Sequence, residues 1–417
     1  MKSTLSTLAK KLFRTISPVR EIMSFANPER IKGYGINPSD VISFGGGWVN
    51  HESPKELQKA YEDIVKNNNL FHYSGGYSPT TGINSTKEAI LKMEKVLYDI
   101  DNLKTNNIVI GQSSSQLTYT LLQTILNSDD KICLLDPSYC NYPLQIYTST
   151  KAKILRFPVI DKNFNYTANK KETIAKFQKF LLKEKPKIIL LVSPDNPTGK
   201  VLSDDFFNIV HKTSKSYGGL TVMDFAYKEL TFTDKVPKYF SKSPDENFVS
   251  IHSNSKWGRN LGRRMGWIEA NDEIVEAFES LLNTSILCPD TLHQMAFEEY
   301  ISKSVNNKIF NKYVYDTKEL YKETAEFTEN LINKYVNSPY IRPDGGLYFT
   351  IEVKQNSAEF VGNLLRKTGV LVVPGWGFGK TLSHAVRISY GPLVYNHEKI
   401  KEGIKKIGEF IDEITDN

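Results

Sequence analysis

Between Asn107 and Trp267 the chain alternates short strand-like runs with helical stretches, and few architectures accept that pattern. NIVIG (107–111) leads into a helical stretch from Gln116 to Leu126. KICLLD (131–136) precedes a tyrosine-rich segment, and KILRF (153–157) follows it. From Thr173 to Lys185, the residues Ile174, Phe177 and Leu181 fall on one helical face. IILLVS (188–193) is apolar on both sides, as a buried parallel strand requires. Ser203 is placed to cap a helix whose first turn holds Asp204 and Asp205, suited to its dipole. LTVMD (220–224), FVSIHS (248–253) and MGWIEA (265–270) continue the alternation. The class expected is α/β, a three-layer domain with a mostly parallel sheet and helices on both faces. Ligands of such sheets sit at the carboxyl ends of the strands.

After about Tyr300 the texture changes. A long polar helical stretch (302–335) leads to PDGGLYFTIEV (343–353), a helix (357–368), VLVVPG (370–375), HAVRISYG (384–391) and a closing helix (396–414). That reads as a smaller α+β domain. The expected division is an N-terminal arm and helix over 1–45 joining the small domain, a large domain over 46–300 and the small domain over 301–417.

The 417 residues exceed one ordinary domain, and 40% apolar with 24% charged residues excludes disordered, collagen-like and coiled-coil chains. No apolar run approaches the roughly 20 residues of a membrane span. The net charge of +6 is too weak to imply nucleic acid and suits an anionic small ligand. Cys133, Cys140 and Cys288 form no CxxC pair, so neither a disulfide framework nor a metal site is expected, and a reducing, cytoplasmic setting is. The basic start MKSTLSTLAKKLFRTI has a short apolar run and continues into SPVREIMSF, so it reads as a structural helix rather than a transit peptide.

Several strand ends carry polar residues that packing does not need: Ser113-Ser114-Ser115-Gln116, Ser193 to Gly199 (SPDNPTG), Asp224 with Tyr227, and Ser253-Asn254-Ser255-Lys256. Taken singly, each has a plain reading as a helix cap, a turn or a solvated lysine. As an ordered set they fit one chemistry. The set resembles the class I/II aminotransferases, fold-type I enzymes that use pyridoxal 5′-phosphate (PLP), of the aspartate and 2-aminoadipate aminotransferase kind. The resemblance runs through SPVREI, VISFGGG (41–47), YSPTTGI (77–83), DPSYCNYP (136–143), SPDNPTG (193–199) and DFAYKEL (224–230). It continues in SNSKWGRNLGRRMG (253–266), CPDTLHQMA (288–296), PDGGLYF (343–349), VPGWGFG (373–379) and VRISYG (386–391).

The resemblance implies amino-group transfer from an L-amino acid to a 2-oxo acid, through a Schiff base on Lys256 and a pyridoxamine phosphate form. Lys256 matches the Schiff-base lysine, whose freed amine then moves a proton between the substrate α-carbon and the cofactor. Asp224 matches the carboxylate facing the pyridine nitrogen, and Asn196 and Tyr227 the donors to the phenolic oxygen. Tyr139 matches the aromatic residue covering the ring. Ser114, Ser115 and Gln116 at a helix start, with Ser253, Ser255 and Arg264, match the phosphate site, joined by Tyr77 of a neighbouring subunit, with Tyr73 as fallback. Arg387, with Asn196 and the backbone N–H of Gly47, matches the site of the substrate α-carboxylate. A homodimer with shared active sites follows. Arg20 either pairs within its own segment or meets a dicarboxylic substrate.

Other readings compete. Lys256, Arg259, Arg263 and Arg264 lack the aromatic platform of a nucleic-acid surface. PGWGFGKT (374–381) leaves three residues where a P-loop needs four and precedes a strand rather than a helix. Only about 40 residues precede VISFGGG, too few for the DNA-binding domain of a PLP-dependent regulator. PLP-dependent elimination, decarboxylation or cyclisation would use the same lysine, and RMGW (264–267) resembles alliinase-like relatives, so an alliinase-like lyase or an amino-acid cyclase is the alternative activity.

Overall fold

The computed structural model describes residues 4–14 and 24–416. The Ser17–Ile22 stretch, with Arg20, lies outside the described residues. After a short β1 (Ile42–Ser43), seven strands build the main sheet. They are β2 (Ile108–Gly111), β3 (Lys131–Asp136), β4 (Lys153–Pro158), β5 (Ile188–Val192), β6 (Leu220–Asp224), β7 (Phe248–Ser253) and β8 (Gly266–Glu269), in the order β2–β8–β7–β6–β5–β3–β4. All neighbours are parallel except at β8, which runs antiparallel to both β2 and β7.

Alternation along the strands generates the layers. Ile188, Leu190 and Val192 of β5 enter one apolar cluster, and Ile189 and Leu191 enter the opposite one. In β3, Ile132 and Leu134 face the first, Cys133 and Leu135 the second. A strand apolar at every position therefore needs helices on both faces. Helices Ser114–Ile125, Tyr142–Ser149 and Asp272–Leu282 cover one face through residues such as Leu117, Ile146 and Phe278. Helices Lys171–Glu184 and Asp204–Lys215 cover the other, where the rings of Phe177 and Phe206 stack 5.4 Å apart. Ser203 caps the second of these by accepting from the Phe206 N–H at 3.2 Å.

The C-terminal part holds β9 (Tyr340–Ile341), β10 (Tyr348–Glu352), β11 (Val370–Leu371), β12 (Val373–Pro374) and β13 (Ala385–Ser389). An antiparallel sheet orders them β12–β13–β10–β9, while β11 pairs with β1 in parallel. The run VLVVPG thus splits: Val370 and Leu371 join the N-terminal segment, and Val373 and Pro374 join β13. The polar stretch expected as one helix over 302–335 is two, Thr291–Ser304 and Ile309–Tyr335. Lys308 between them has φ +64, and the Asn307 side chain accepts from the Ile309 N–H. A left-handed residue beside an Asn that competes for backbone hydrogens ends a helix.

Behind the main sheet lies a buried ionic group. Lys228 donates to Glu94 at 2.9 Å, and His252 lies 3.6 Å from Glu94 and 3.4 Å from Glu269. The ammonium of Lys228 supplies among these carboxylates the positive charge that a metal would otherwise bring.

Gly266 on β8 sits at a close backbone approach near the mouth of the sheet. A Cβ there would lie 2.6 Å from the His252 carbonyl oxygen and 2.8 Å from the Ser114 nitrogen. Gly266→Ala should therefore destabilise the protein by about 1–3 kcal/mol, the range of overpacked sites. Gly262→Ala, whose added methyl meets nothing within 4 Å, should leave the melting temperature almost unchanged. Thermal melts of the two variants side by side check this, and equal shifts would remove the crowding argument.

Candidate functional site

The parallel strands point their carboxyl ends at a cleft of about 580 Å³, closed on its other side by β10, β13 and the glycine turn Gly45–Gly47. β6 ends in Asp224, buried in the floor. Its carboxylate accepts from the Tyr142 hydroxyl at 2.7 Å and from the Ala226 N–H at 2.9 Å. Burial nevertheless raises its pKa above the ordinary carboxylate value, outweighing these bonds and the charges of His252 and Lys256. A buried carboxylate in that state is suited to a cationic partner in the cleft.

Lys256 follows the end of β7, and its amine donates to the Gly47 carbonyl at 2.5 Å. Burial and the nearby Arg387 and Arg264 push its pKa down to about 8, against the pull of Asp224. About a tenth of the amine is then uncharged at pH 7, several hundredfold more than for an ordinary lysine, and the uncharged form is the one a nucleophile or general base requires. Ser253 and Ser255 lie beside it with their hydroxyls 2.9 Å apart. Arg264 also lines the cleft, at φ +54, with its guanidinium held by the Leu261 carbonyl at 2.6 Å. The rest of the basic cluster is committed elsewhere. Arg259 donates to the carbonyls of Asn50 and His51, and Arg263 lies over the Tyr61 ring.

Ser114 and Ser115 begin a 12-residue helix whose start has no side-chain cap, so its first amides open toward the cleft. Gln116 does not line it. Its side chain bonds the Gln112 N–H and the Thr120 hydroxyl within its own turn. Tyr139 lines the cleft, set edge-on to Tyr142 at 5.3 Å. Asn196 sits in the turn after β5, which Asp195 closes by accepting from the Thr198 N–H and hydroxyl. Burial pushes the Asp195 pKa up to about 7.

Arg387 reaches the cleft from β13, paired with Thr350 of β10 and Val373 of β12. It donates to Asn196 at 2.9 Å and to the Gly45 carbonyl at 3.1 Å, over the face of Tyr348. Its Nε is buried, and no described residue accepts from it. Tyr227 meets the Tyr348 hydroxyl at 2.6 Å. The glycine turn thus answers two site residues, Gly45 holding Arg387 and Gly47 holding Lys256, and a Cβ on Gly47 would sit 2.9 Å from the Tyr348 hydroxyl.

Tyr77 is absent from the cleft lining and is 85% exposed, and Tyr73 is exposed too. Sequence reasoning left out Tyr142, Tyr348, Trp48 and Phe378, all of which line the cleft. A signal existed for two of them: Tyr142 stands three residues after Tyr139, and Tyr348 follows the double glycine of PDGGLYF.

The architecture is the fold-type I α/β plan. The aspartate aminotransferase of Thermus thermophilus, solved with maleate, superposes with a TM-score of 0.83 over 98% of this chain and all of its own, at 18% identity. That likeness concerns the fold. In sequence, the pattern of the family described as aminotransferase class I and II matches residues 39–407. The aspartate aminotransferase of Bacillus sp. strain YM-2 is 25% identical over 409 residues, covering 95% of this chain and 97% of that one. The (5-formylfuran-3-yl)methyl phosphate transaminase of Methanocaldococcus jannaschii is 26% identical over 353 residues, covering 81% and 83%. The chain belongs to the aminotransferase class I and II family, and it is a PLP-dependent aminotransferase rather than the lyase or cyclase kept as the alternative.

The residues present fit that cofactor: an amine of depressed pKa, a buried carboxylate whose proton affinity is raised, uncapped helix amides beside two serines and an arginine, and a buried guanidinium with an N–H that no described residue accepts. A pKa of about 8 makes a prediction for the cofactor-free protein. Labelling of Lys256 by an amine-directed acylating reagent should rise about tenfold from pH 6 to pH 7 and level off above about pH 8, where surface lysines are still rising toward their ordinary value near 10.4. Arg387→Gln should move that plateau to higher pH, since Arg387 holds the value down. Peptide mapping after competitive labelling reads both. Parallel curves for Lys256 and the surface lysines would contradict the assignment.

Proposed function

We propose that this aminotransferase works through Lys256 as Schiff-base residue and proton carrier, Asp224 as partner of the cofactor's ring nitrogen, and Arg387 as anchor of the substrate α-carboxylate. The observation that carries this is the convergence of those three groups at one end of the sheet, Lys256 with a lowered proton affinity, Asp224 buried and suited to a cationic partner, and Arg387 with a buried N–H that no described residue accepts. When bound, PLP supplies a carbonyl that joins an amine and a ring that accepts the electron pair released at the substrate α-carbon.

The protein's own groups do the remainder. Lys256, when its amine is free, would take the proton from the substrate α-carbon, and its lowered pKa keeps it basic without leaving it permanently charged. Asp224 holds a proton on the ring nitrogen, and Tyr142 and Ala226 fix the carboxylate in place. Asn196 gives its carbonyl oxygen to Arg387, which leaves its amide N–H groups for the cofactor's phenolic oxygen, beside Tyr227. The amides of Ser114 to Gln116, the hydroxyls of Ser253 and Ser255, and Arg264 would hold the phosphate, and Tyr139 would cover the ring. Arg387 holds the substrate carboxylate together with Asn196 and the glycine turn at Gly47.

Two wider assignments belong with this reading. The arm over 1–45 goes with the small domain (301–417) around the large domain (46–300), a division supported by the β1–β11 pairing. A homodimer supplies Tyr77 to the neighbouring site, supported by the exposure of Leu70, Phe71, Tyr73 and Tyr77 on one short segment. Among the described residues no helix is long and apolar enough to cross a membrane. The three free cysteines support a cytoplasmic setting.

The purified protein should be yellow, and borohydride should fix the cofactor to the Lys256 peptide. Lys256→Ala should lose turnover while keeping its fold. Asp224→Asn should lower kcat by about 100- to 1,000-fold, the loss seen when a preorganised electrostatic partner is removed. Cofactor fixed to another lysine, or near-normal activity in Asp224→Asn, would overturn the assignments. Mixing Lys256→Ala with an impaired Tyr77 variant should restore some activity, because one hybrid site regains both residues. No recovery after verified subunit exchange would confine Tyr77 to its own chain.

A further inference from the structure

The assigned roles leave one wall of the cleft without work, and it surrounds the carboxylate anchor. The Phe378 ring lies 5.1 Å from the Arg387 guanidinium carbon. Gly45, whose carbonyl takes Arg387, lies against Leu371, which a Cβ on this glycine would touch at 3.5 Å. At the next residue a Cβ would collide with the Trp48 indole at 1.9 Å, so that ring lies folded over the glycine turn. Cys140 packs in the same apolar cluster as Phe378, Ala26 also lines the cleft, and the hydroxyl beside Leu371 is that of Ser43, 3.6 Å from the same Cβ position on Gly45. Among the described residues, the cations facing the cleft are Lys256, Arg264 and Arg387, and each already has a partner in the proposed reaction.

This wall is rigid on one side and open on the other. Phe378 is fully buried, and its carbonyl accepts from the Ser138 N–H at 3.0 Å and from Arg156 at 2.9 Å. The following N–H groups of Lys380 and Thr381 bind the Asp136 carboxylate at 3.1 and 3.2 Å. The aromatic surface near Arg387 is thus clamped by the end of β3 before any substrate arrives. Trp48 by contrast is 49% exposed and stands at the mouth. A side-chain carboxylate pressed against such a lining would lose its water and gain no cation from it, whereas an apolar side chain would be covered.

We propose that the substrate side-chain subsite is the surface formed by Phe378, Leu371, Cys140 and Trp48, that it takes aromatic or large aliphatic amino acids, and that Trp48 sets this preference. The inference rests on Arg387 holding the α-carboxylate. It assigns the substrate class that the shared chemistry leaves open.

The test uses the holoenzyme and the half-reaction, followed by the change in cofactor absorbance on adding one donor at a time. Phenylalanine and leucine should exceed aspartate and glutamate in kcat/KM by about ten- to a hundredfold, the discrimination expected of a hydrophobic pocket. In Trp48→Ala the ratio of kcat/KM for phenylalanine to that for alanine should fall about tenfold, and Trp48→Phe should restore most of it. A second reading needs no turnover. Calorimetry should show 3-phenylpropanoate binding more tightly than succinate, with the difference reduced in Trp48→Ala. Preference for dicarboxylic donors overturns the proposal, as does a Trp48→Ala loss equal for all donors. If no donor reacts at all, the residue roles proposed above fail. The subsite then stands or falls on whether 3-phenylpropanoate outbinds succinate and depends on Trp48.

Discussion

A carboxylate buried at the end of the central strand β6, in the floor of the cleft, is a constraint that much of the surrounding order answers. Asp224 is buried, and burial alone drives it toward its neutral form. Two hydrogen bonds hold it in one orientation, from Tyr142 on the helix after β3 and from its own chain at Ala226. The same dry floor lowers the proton affinity of Lys256. One physical condition, exclusion of water, therefore shifts a carboxylate upward and an amine downward. A cation at the carboxylate and a covalent partner at the amine would relieve both shifts.

The two sheets meet through a short polypeptide bridge. Gly45 and Gly47 present carbonyls to Arg387 of β13 and to Lys256 after β7, and Asn50 and His51 accept from Arg259 a few residues further on. His51 ties the bridge at both ends, with Nδ1 at 3.0 Å from the Tyr321 hydroxyl and Nε2 at 3.0 Å from the Trp257 carbonyl. A carbonyl can only accept, so Nε2 carries the hydrogen and Nδ1 accepts from Tyr321. Burial holds the His51 pKa down near 4, which keeps the ring in this neutral, directional form. Arg387 and Lys256 are thus registered to one another through backbone and a neutral ring.

What the sequence made legible follows the physics of each part. The strands of the main sheet could be read because burial on both faces demands unbroken apolar runs, and IILLV at 188–192 has one residue after another in opposite cores. Asp224, Tyr227 and Lys256 could be picked out because packing does not call for such residues in that order at strand ends, and all three line the cleft. The antiparallel course of β8 was not legible, since alternation within a strand carries no direction. The division of VLVVPG between two sheets was hidden for a similar reason: four apolar residues do not say which neighbour each pair will meet. Tyr142 and Phe378 escaped because a tyrosine at a helix start and a phenylalanine in a glycine-rich turn look like packing until the fold turns them toward the cleft.

That glycine-rich turn carries a further point about pattern and chemistry. PGWGFGKT (374–381) resembles a phosphate-cradling loop in composition, and its backbone does bind an anion. The anion is the chain's own Asp136, which accepts from the N–H groups of Lys380 and Thr381 and from the Thr381 hydroxyl at 2.7 Å. A Cβ on Gly379 would fall 1.9 Å from the same carboxylate oxygen, so a glycine is needed for the reason phosphate loops need one, close approach of backbone to negative charge. The spacing that spoils the P-loop pattern leaves the amides for an internal partner. The result is a fixed link between the end of β3 and the loop carrying Phe378, which sets the apolar wall beside Arg387. Anion binding by glycine-rich backbone serves here to place a hydrophobic surface rather than to hold a ligand.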